Sequence, residues 1–140
     1  MNKCRFCRII KGELEAYYVY KDSDIVAFLD RYPATEGHTL VVPVQHFENI
    51  YEIPEELLCK LIKVVKRIAI AIKNSLGADG IRIVQNNERE AGQVIFHLHF
   101  HIIPFYSDTS KYLHRRTLTP SEGENISRKI RSYLKSNASP

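Results

Sequence analysis

Three histidines, His97, His99 and His101, stand at alternate positions in the run Phe96-His97-Leu98-His99-Phe100-His101-Ile102-Ile103-Pro104. If the run is extended, alternate side chains share a face. The imidazoles then line one face, while Phe96, Leu98, Phe100 and Ile102 form an apolar face that packs into a core. Imidazole titrates near neutrality, so it can act as nucleophile, proton donor or metal ligand. Three readings fit the spacing. The first is an ordinary half-buried strand with histidine on its outer face. The second is a metal site using all three rings, since alternate residues on a strand stand ~7 Å apart. The third is a phosphate-handling site, with one imidazole attacking and another donating a proton or hydrogen bond.

The rest of the sequence predicts the elements that must position this segment. Tyr17–Tyr20 and Ile25–Leu29, rich in β-branched and aromatic residues and separated by Lys21-Asp22-Ser23-Asp24, predict a β-hairpin. His38–Val44 predicts a third strand, and Pro43 within it points to an edge or an irregularity. Pro54 opens a long helix with Glu55 and Glu56 in its first turn. Leu57, Leu58, Leu61, Val65, Ile68, Ala69, Ile72 and Leu76 form its apolar stripe, and Gly77 stops it. Cys59 in this helix is expected to be a plain thiol. Ile81–Val84 predicts the fourth strand, the polar run Asn86–Gly92 a loop, and Val94–Ile103 the fifth strand, ending at Pro104. A C-terminal helix is expected over Glu122–Leu134, capped by Ser121. The order βββαββ with short links argues for an α+β fold: a five-stranded antiparallel sheet, a long helix after the third strand, and a C-terminal helix.

The motif His97-Leu98-His99-Phe100-His101-Ile102-Ile103 matches the His-φ-His-φ-His-φ-φ signature of the histidine-triad (HIT) family of nucleotide hydrolases and transferases. Phe6-Cys7-Arg8-Ile9, Ala27-Phe28-Leu29-Asp30, Gly37–Pro43 and Gly92-Gln93 resemble the family's other landmarks, in the same order. The resemblance covers residues 1–106. Asp30 and the N-terminal Cys-x-x-Cys are more similar to the small microbial Hint-like branch than to the Fhit-type diadenosine-polyphosphate hydrolases. It implies a HIT-like fold, one HIT domain over residues 1–135, and a frayed tail at 136–140.

The resemblance also implies roles. His99 attacks the α-phosphorus of a nucleoside monophosphate derivative and forms a covalent nucleotidyl-histidine. His101 donates to the phosphate oxygens, and His97 completes the catalytic triad. Asn86, Gly92 and Gln93 match the family's phosphate contacts, and Asp30 its ribose carboxylate. Phe6, Ile9 and Phe28 match the apolar slot for the base, although read from the residues alone they are core packers. His38 matches a family histidine that supports the triad from behind. Two positions depart from the pattern. Val94 stands where Hint-type phosphoramidases carry a serine, and Phe105 where many relatives have arginine.

Cys4-x-x-Cys7 by itself supplies two thiolates, which serve either as two ligands of a zinc ion or as plain thiols. The resemblance implies that His46 and His97 complete a closed Cys2His2 zinc site, structural in role.

The implied function is a nucleotidyl hydrolase that cleaves a purine nucleoside 5′-monophosphate from an amine or phosphate, like a phosphoramidase. The alternatives are a dinucleoside polyphosphate hydrolase, a nucleotidyl transferase, or a nucleotide-binding adaptor without turnover. The family also implies a homodimer. Composition sets the outer bounds. The chain has 140 residues and a net charge of +4, with 20 Lys and Arg against 16 Asp and Glu. That charge suits an anionic partner, or simply a solvated lysine-rich surface, and does not select nucleic acid. Neither a nucleic-acid nor a membrane partner is expected, because no apolar run approaches a membrane span. Met1–Arg5 leads into no apolar segment, so a cytoplasmic location is expected. His114-Arg115-Arg116, beyond the motif, is expected to be a solvated basic run.

Overall fold

The β-branched and aromatic runs form strands and the 3.6-periodic stripe forms a helix, in a computed structural model that describes residues 4–137. The remainder of the expected tail, residues 138–140, lies outside the described residues. In chain order the elements are α1 (Arg5–Ile10), β1 (Tyr18–Lys21), β2 (Ile25–Leu29), β3 (Thr39–Pro43), α2 (Glu55–Leu76), β4 (Gly80–Val84), β5 (Phe100–Phe105) and α3 (Pro120–Ser136). The five strands make one sheet in the order β1-β2-β3-β5-β4, with every neighbouring pair antiparallel. This is the expected α+β arrangement.

Period two along the strands divides the core into two. Ile25, Ala27 and Leu29 of β2, Val41 of β3, and Phe100 and Ile102 of β5 pack with the buried stripe of α2 and with Ile126 and Ile130 of α3. Within that stripe Leu61, Val65, Ile68 and Ile72 are each at most 1% exposed. Each contributes roughly 1.5–3 kcal/mol of burial, far more than the few tenths by which residues differ in helix propensity. Packing, not propensity, therefore holds α2. The opposite face of the sheet carries Val26, Phe28, Leu40 and Val42, covered by Phe6 and Ile9 of α1. The helices thus leave part of one sheet face open beside α1, and His101 of β5 lies on that side.

At the C-terminal end of α2, Gly77 adopts a left-handed conformation (φ +69°) and ends the helix. Gly37 (φ +95°), before β3, is a position that requires glycine, because a Cβ there would stand 2.4 Å from Leu76 Cδ1.

Several expectations are corrected. Pro43 does not mark an edge strand. β3 lies inside the sheet, and Pro43 is its last residue, opposite Ile25. The fifth strand begins at Phe100, not Val94, and continues through Pro104 to Phe105. Two bonds draw the preceding segment away from the ladder. The Leu98 N–H donates to the Phe47 carbonyl (2.7 Å), and the His97 ring donates to the Pro43 carbonyl (2.8 Å). Phe96 consequently turns outward and is 41% exposed, whereas Leu98, Phe100 and Ile102 are buried as expected. The C-terminal helix starts at Pro120 and is capped by Thr119. The Thr119 hydroxyl accepts from the Glu122 N–H, and the Glu122 carboxylate accepts from the Thr119 N–H. This reciprocal capping box places Ser121 inside the first turn. The helix runs through Ser136, the first residue expected to fray.

Candidate active site

The bend before β5 gives the three histidines three different environments. The Nε2 of His97 faces the Pro43 carbonyl, an acceptor, so that nitrogen carries the proton and Nδ1 keeps its lone pair. His99 is the reverse. Its Nδ1 lies 2.7 Å from the His97 carbonyl and must donate to it, which leaves the lone pair on Nε2. His99 is 7% exposed, and burial lowers its pKa below the usual imidazole range, against the opposing pull of the His97 carbonyl. A neutral imidazole with a fixed tautomer is the nucleophilic form.

The tautomer of His101 is set by a chain of hydrogen bonds. The Ala34 N–H donates to His38 Nδ1 (3.0 Å). His38 therefore carries its proton on Nε2, which lies 3.0 Å from His101 Nδ1. His101 accepts there and presents its own Nε2–H as a donor. Burial, with the neighbouring His101 and Arg115 charges, pushes the His38 pKa down to about 3. Burial and His99 push that of His101 down to about 4. Both rings are neutral at pH 7, so the relay is one of neutral donors and acceptors. His38 therefore supports His101 by direct contact.

His99 and His101 line a cavity of about 930 Å³. Phe6 and Ile9 of α1 and Phe28 of β2 form an apolar part of its wall. They are also core residues, each at most 4% exposed, so one set of side chains serves packing and cavity alike. Asp30, Asn86 and Gly92 line the same cavity. Asp30 follows β2 directly. Burial pushes its carboxyl up, while the Tyr32 N–H and the Arg115 charge pull it back. Gln93 is placed differently. Its side chain is 2% exposed, accepts from the Glu88 N–H (2.7 Å) and donates to the carbonyls of Glu48 and Ile95, so it braces the loop from beneath.

That loop carries local strain. Glu88 adopts φ +76°, ψ 155°, a region that essentially only glycine occupies, at a cost of about 1–3 kcal/mol. The Glu88 side chain gains a 3.2 Å bond from the exposed Tyr51 hydroxyl, worth less than the strain. Glu88→Gly is therefore expected to stabilise the fold by about 1 kcal/mol after the entropy cost of glycine, a rise in melting temperature of about 3 °C. A thermal melt checks this, and a lowered melting temperature contradicts it.

A second cluster lies behind the nucleophile. Cys4 caps α1, its Sγ accepting from the Cys7 N–H. His97 Nδ1 is 3.3 Å from Cys4 Sγ and 3.5 Å from Cys7 Sγ, and His46 Nδ1 is 3.3 Å from Cys7 Sγ. The four ligand atoms lie within 4.8 Å of one another. Zinc bonds of ~2.0–2.3 Å give a tetrahedron with edges of about 3.3–3.8 Å, and the three sulfur–nitrogen separations of 3.3–3.5 Å match such edges. The donor set is right as well, two sulfurs and an imidazole whose lone pair is directed at them. The structure thus brings together residues 4, 7, 46 and 97, which are scattered in sequence.

A family model for the HIT domain matches residues 11–108. The chain belongs to the histidine-triad family. A hypothetical histidine triad nucleotide-binding protein from Sulfolobus tokodaii has a similar crystal structure (TM-score 0.91, 43% identity, covering 95% of this chain and 93% of that one). So has a zinc-bound histidine triad family protein from Mycobacterium smegmatis (TM-score 0.84, 33% identity, covering 96% and 94%). The adenosine 5′-monophosphoramidase of Candida albicans is 37% identical over 105 residues, 72% of this chain and 69% of that protein. At the level of the family, these likenesses support a nucleotide hydrolase.

Against the HIT pattern, Val94 lines the cavity and is 83% exposed, so it presents an isopropyl group there. Phe105 instead packs under the Arg82 guanidinium, 4.6 Å from its ring centroid. The basic run beyond the motif is exposed, as expected, but it is not a loose tail. Leu113 and Arg115 donate their N–H groups to the carbonyls of Ala34 and Pro33, and Glu36 donates to the Lys111 carbonyl. This pins the segment along the loop that follows β2. Arg115 thereby joins the cavity wall. No motif marks it, and it lies outside the matched residues.

Proposed function

We propose that this chain is a nucleotidyl hydrolase that releases a purine nucleoside 5′-monophosphate from an amine or phosphate leaving group through a nucleotidyl-His99 intermediate. The observation that carries the reading is the 2.7 Å bond from His99 Nδ1 to the His97 carbonyl, which leaves a lone pair on Nε2 of a neutral ring in the cavity wall. Nε2 attacks the α-phosphorus, and the bond to the leaving group breaks with its electron pair going to nitrogen or oxygen. The His101 Nε2–H donates to the phosphate oxygens as their charge grows. Asn86 and the loop at Gly92, braced by Gln93, hold the phosphate, Asp30 takes the ribose hydroxyls, and Phe6, Ile9 and Phe28 hold the base. The leaving group takes up a proton from solvent; water then attacks phosphorus, the P–Nε2 bond breaks and returns its electron pair to the ring, and the water gives a proton back to solvent.

Incubation with adenosine 5′-phosphoramidate should release adenosine monophosphate and ammonia. Unchanged substrate would overturn the proposal for amine leaving groups, and a parallel incubation with a dinucleoside polyphosphate tests phosphate leaving groups. The relative named as a phosphoramidase supports the amine. The missing serine hydroxyl at Val94 favours phosphate as a second reading.

Asp30→Ala should raise KM for ribonucleotide substrates about tenfold, and for 2′-deoxy analogues less, because only the former lose a hydroxyl's full partner. Steady-state kinetics on the two substrates checks this, and equal effects would assign Asp30 a structural role.

Cys4, Cys7, His46 and His97 would hold zinc, with the zinc-bound Mycobacterium smegmatis relative in support. When bound, the ion supplies a cross-link between α1, the loop after β3 and the segment before His99. With four protein ligands it has no open position, so its role is structural. We further propose a cytoplasmic homodimer of a single HIT domain. Ile62 and Ile70, exposed on α2, and Ile83 on the edge strand β4 supply apolar surface for the dimer. Among the described residues, no helix is long and apolar enough to cross a membrane.

A further inference from the structure

We propose that Arg115 is a ribose-recognition residue that pairs with Asp30 to select nucleotides bearing a free 2′,3′-diol. The inference rests on reading the cavity as a nucleotide site. A vicinal diol offers two O–H donors and four lone pairs, whereas a carboxylate only accepts and a guanidinium only donates. Asp30 alone matches half of that pattern, and a nearby arginine completes it.

The geometry supplies such an arginine. Asp30 Oδ1 accepts from the Tyr32 N–H (2.8 Å). Its Oδ2 stands 3.4 Å from His38 Nε2, whose proton goes to His101, and 3.9 Å from Arg115 Nη1, the latter beyond a direct hydrogen bond. Both residues line the cavity, so the gap between them lies at its wall. A hydroxyl group placed there can donate to Oδ2 and accept from the guanidinium at once. Arg115 Nη1 also donates to the Tyr32 carbonyl (3.2 Å), which orients the guanidinium while leaving its other N–H groups for a ligand. The adjacent arginine shows the contrast. Arg116 is consumed by Glu122, with bonds of 2.9 and 2.8 Å to its two oxygens.

The backbone is built to deliver this side chain. His114 (φ +49°) and Arg115 (φ +66°) are consecutive left-handed residues, an uncommon and costly pairing for residues with side chains. The Arg115 N–H to the Pro33 carbonyl (3.0 Å) fixes that turn beside the loop after β2. The guanidinium's charge also opposes the rise that burial imposes on the Asp30 carboxyl.

Calorimetric titration of adenosine monophosphate and its 2′,3′-dideoxy analogue tests the proposal on the wild-type chain, Arg115→Gln and Arg115→Lys. Arg115→Gln should weaken the diol ligand about tenfold and leave the dideoxy ligand within about twofold, the loss of one charge-assisted hydrogen bond. Arg115→Lys should recover part of that loss, since it keeps a donor and the charge but not the fork. Equal weakening of both ligands by Arg115→Gln, or no weakening of either, overturns the proposal. The titration needs no turnover. Diol-selective loss in a chain that hydrolyses nothing sustains the role of Arg115 and overturns the proposed hydrolysis. Non-selective loss in an active chain does the reverse. A wild-type chain that binds neither ligand overturns both.

Discussion

His99→Ala is expected to lower turnover of a nucleotide substrate by about 10⁴-fold or more, the scale seen when a covalent nucleophile is removed. Binding of adenosine monophosphate should change little, because base, ribose and phosphate contacts come from α1, β2, the loop before β5 and His101. The pairing of a large kcat loss with a small change in affinity separates a nucleophile from a binding residue. His101→Ala should cost less, about 10²–10³-fold, as for one preorganised donor to a developing oxyanion. The order matters as much as the size. If His101→Ala costs as much as His99→Ala, or if His99→Ala keeps wild-type turnover, the roles derived from the two tautomers are wrong.

The second large effect concerns the metal. Chain purified under reducing conditions without chelator should carry about one zinc per molecule, as four ligands of this type predict. Removing it should lower the melting temperature on the order of 10 °C, because the unfolded chain cannot preform the site and metal binding is therefore linked to folding. The chain should nevertheless stay folded, since the larger core between the sheet and α2 and α3 does not involve the metal ligands. Activity at room temperature should fall less than stability. Cys7→Ser should reproduce the effect. His97→Ala should be worse than either, because the His97 ring also donates to the Pro43 carbonyl and its own carbonyl orients His99. Metal analysis and thermal melts check these expectations. Zinc-free protein whose melting temperature ignores a chelator would leave the two cysteines as plain thiols.

Much of the architecture was legible in the sequence, and for definite reasons. The stripe of α2 is a periodic signal and the β-branched and aromatic runs of β2 and β3 are compositional ones, and burial on both faces of those strands enforces them. Where periodicity is absent or is overridden by a long-range bond, the reading fails. α1 has six residues and a cysteine thiol as its cap, neither of which is a helix signal. The alternation of the triad continues through Phe96 on paper, but the bonds from Leu98 to Phe47 and from His97 to Pro43 bend the chain first. That bend also makes the histidines unequal, which strict alternation could not foretell. Arg115 was hidden for a related reason. Its place depends on a ladder between residues 111–115 and 33–36 that carries no hydrophobic pattern. The zinc ligands and the cavity residues were legible through the family resemblance, because their meeting is a property of the fold rather than of any local spacing.

The central claim is that His99 Nε2 becomes bonded to phosphorus. Mixing excess protein with an adenosine 5′-phosphoramidate, quenching within one turnover and mapping peptides by mass spectrometry tests it most directly. One adenylyl group should appear on the peptide containing His99, in wild-type protein and not in His99→Ala. An adenylyl group on another residue, or active protein that hydrolyses the substrate with no adduct in a quench faster than turnover, would contradict the account.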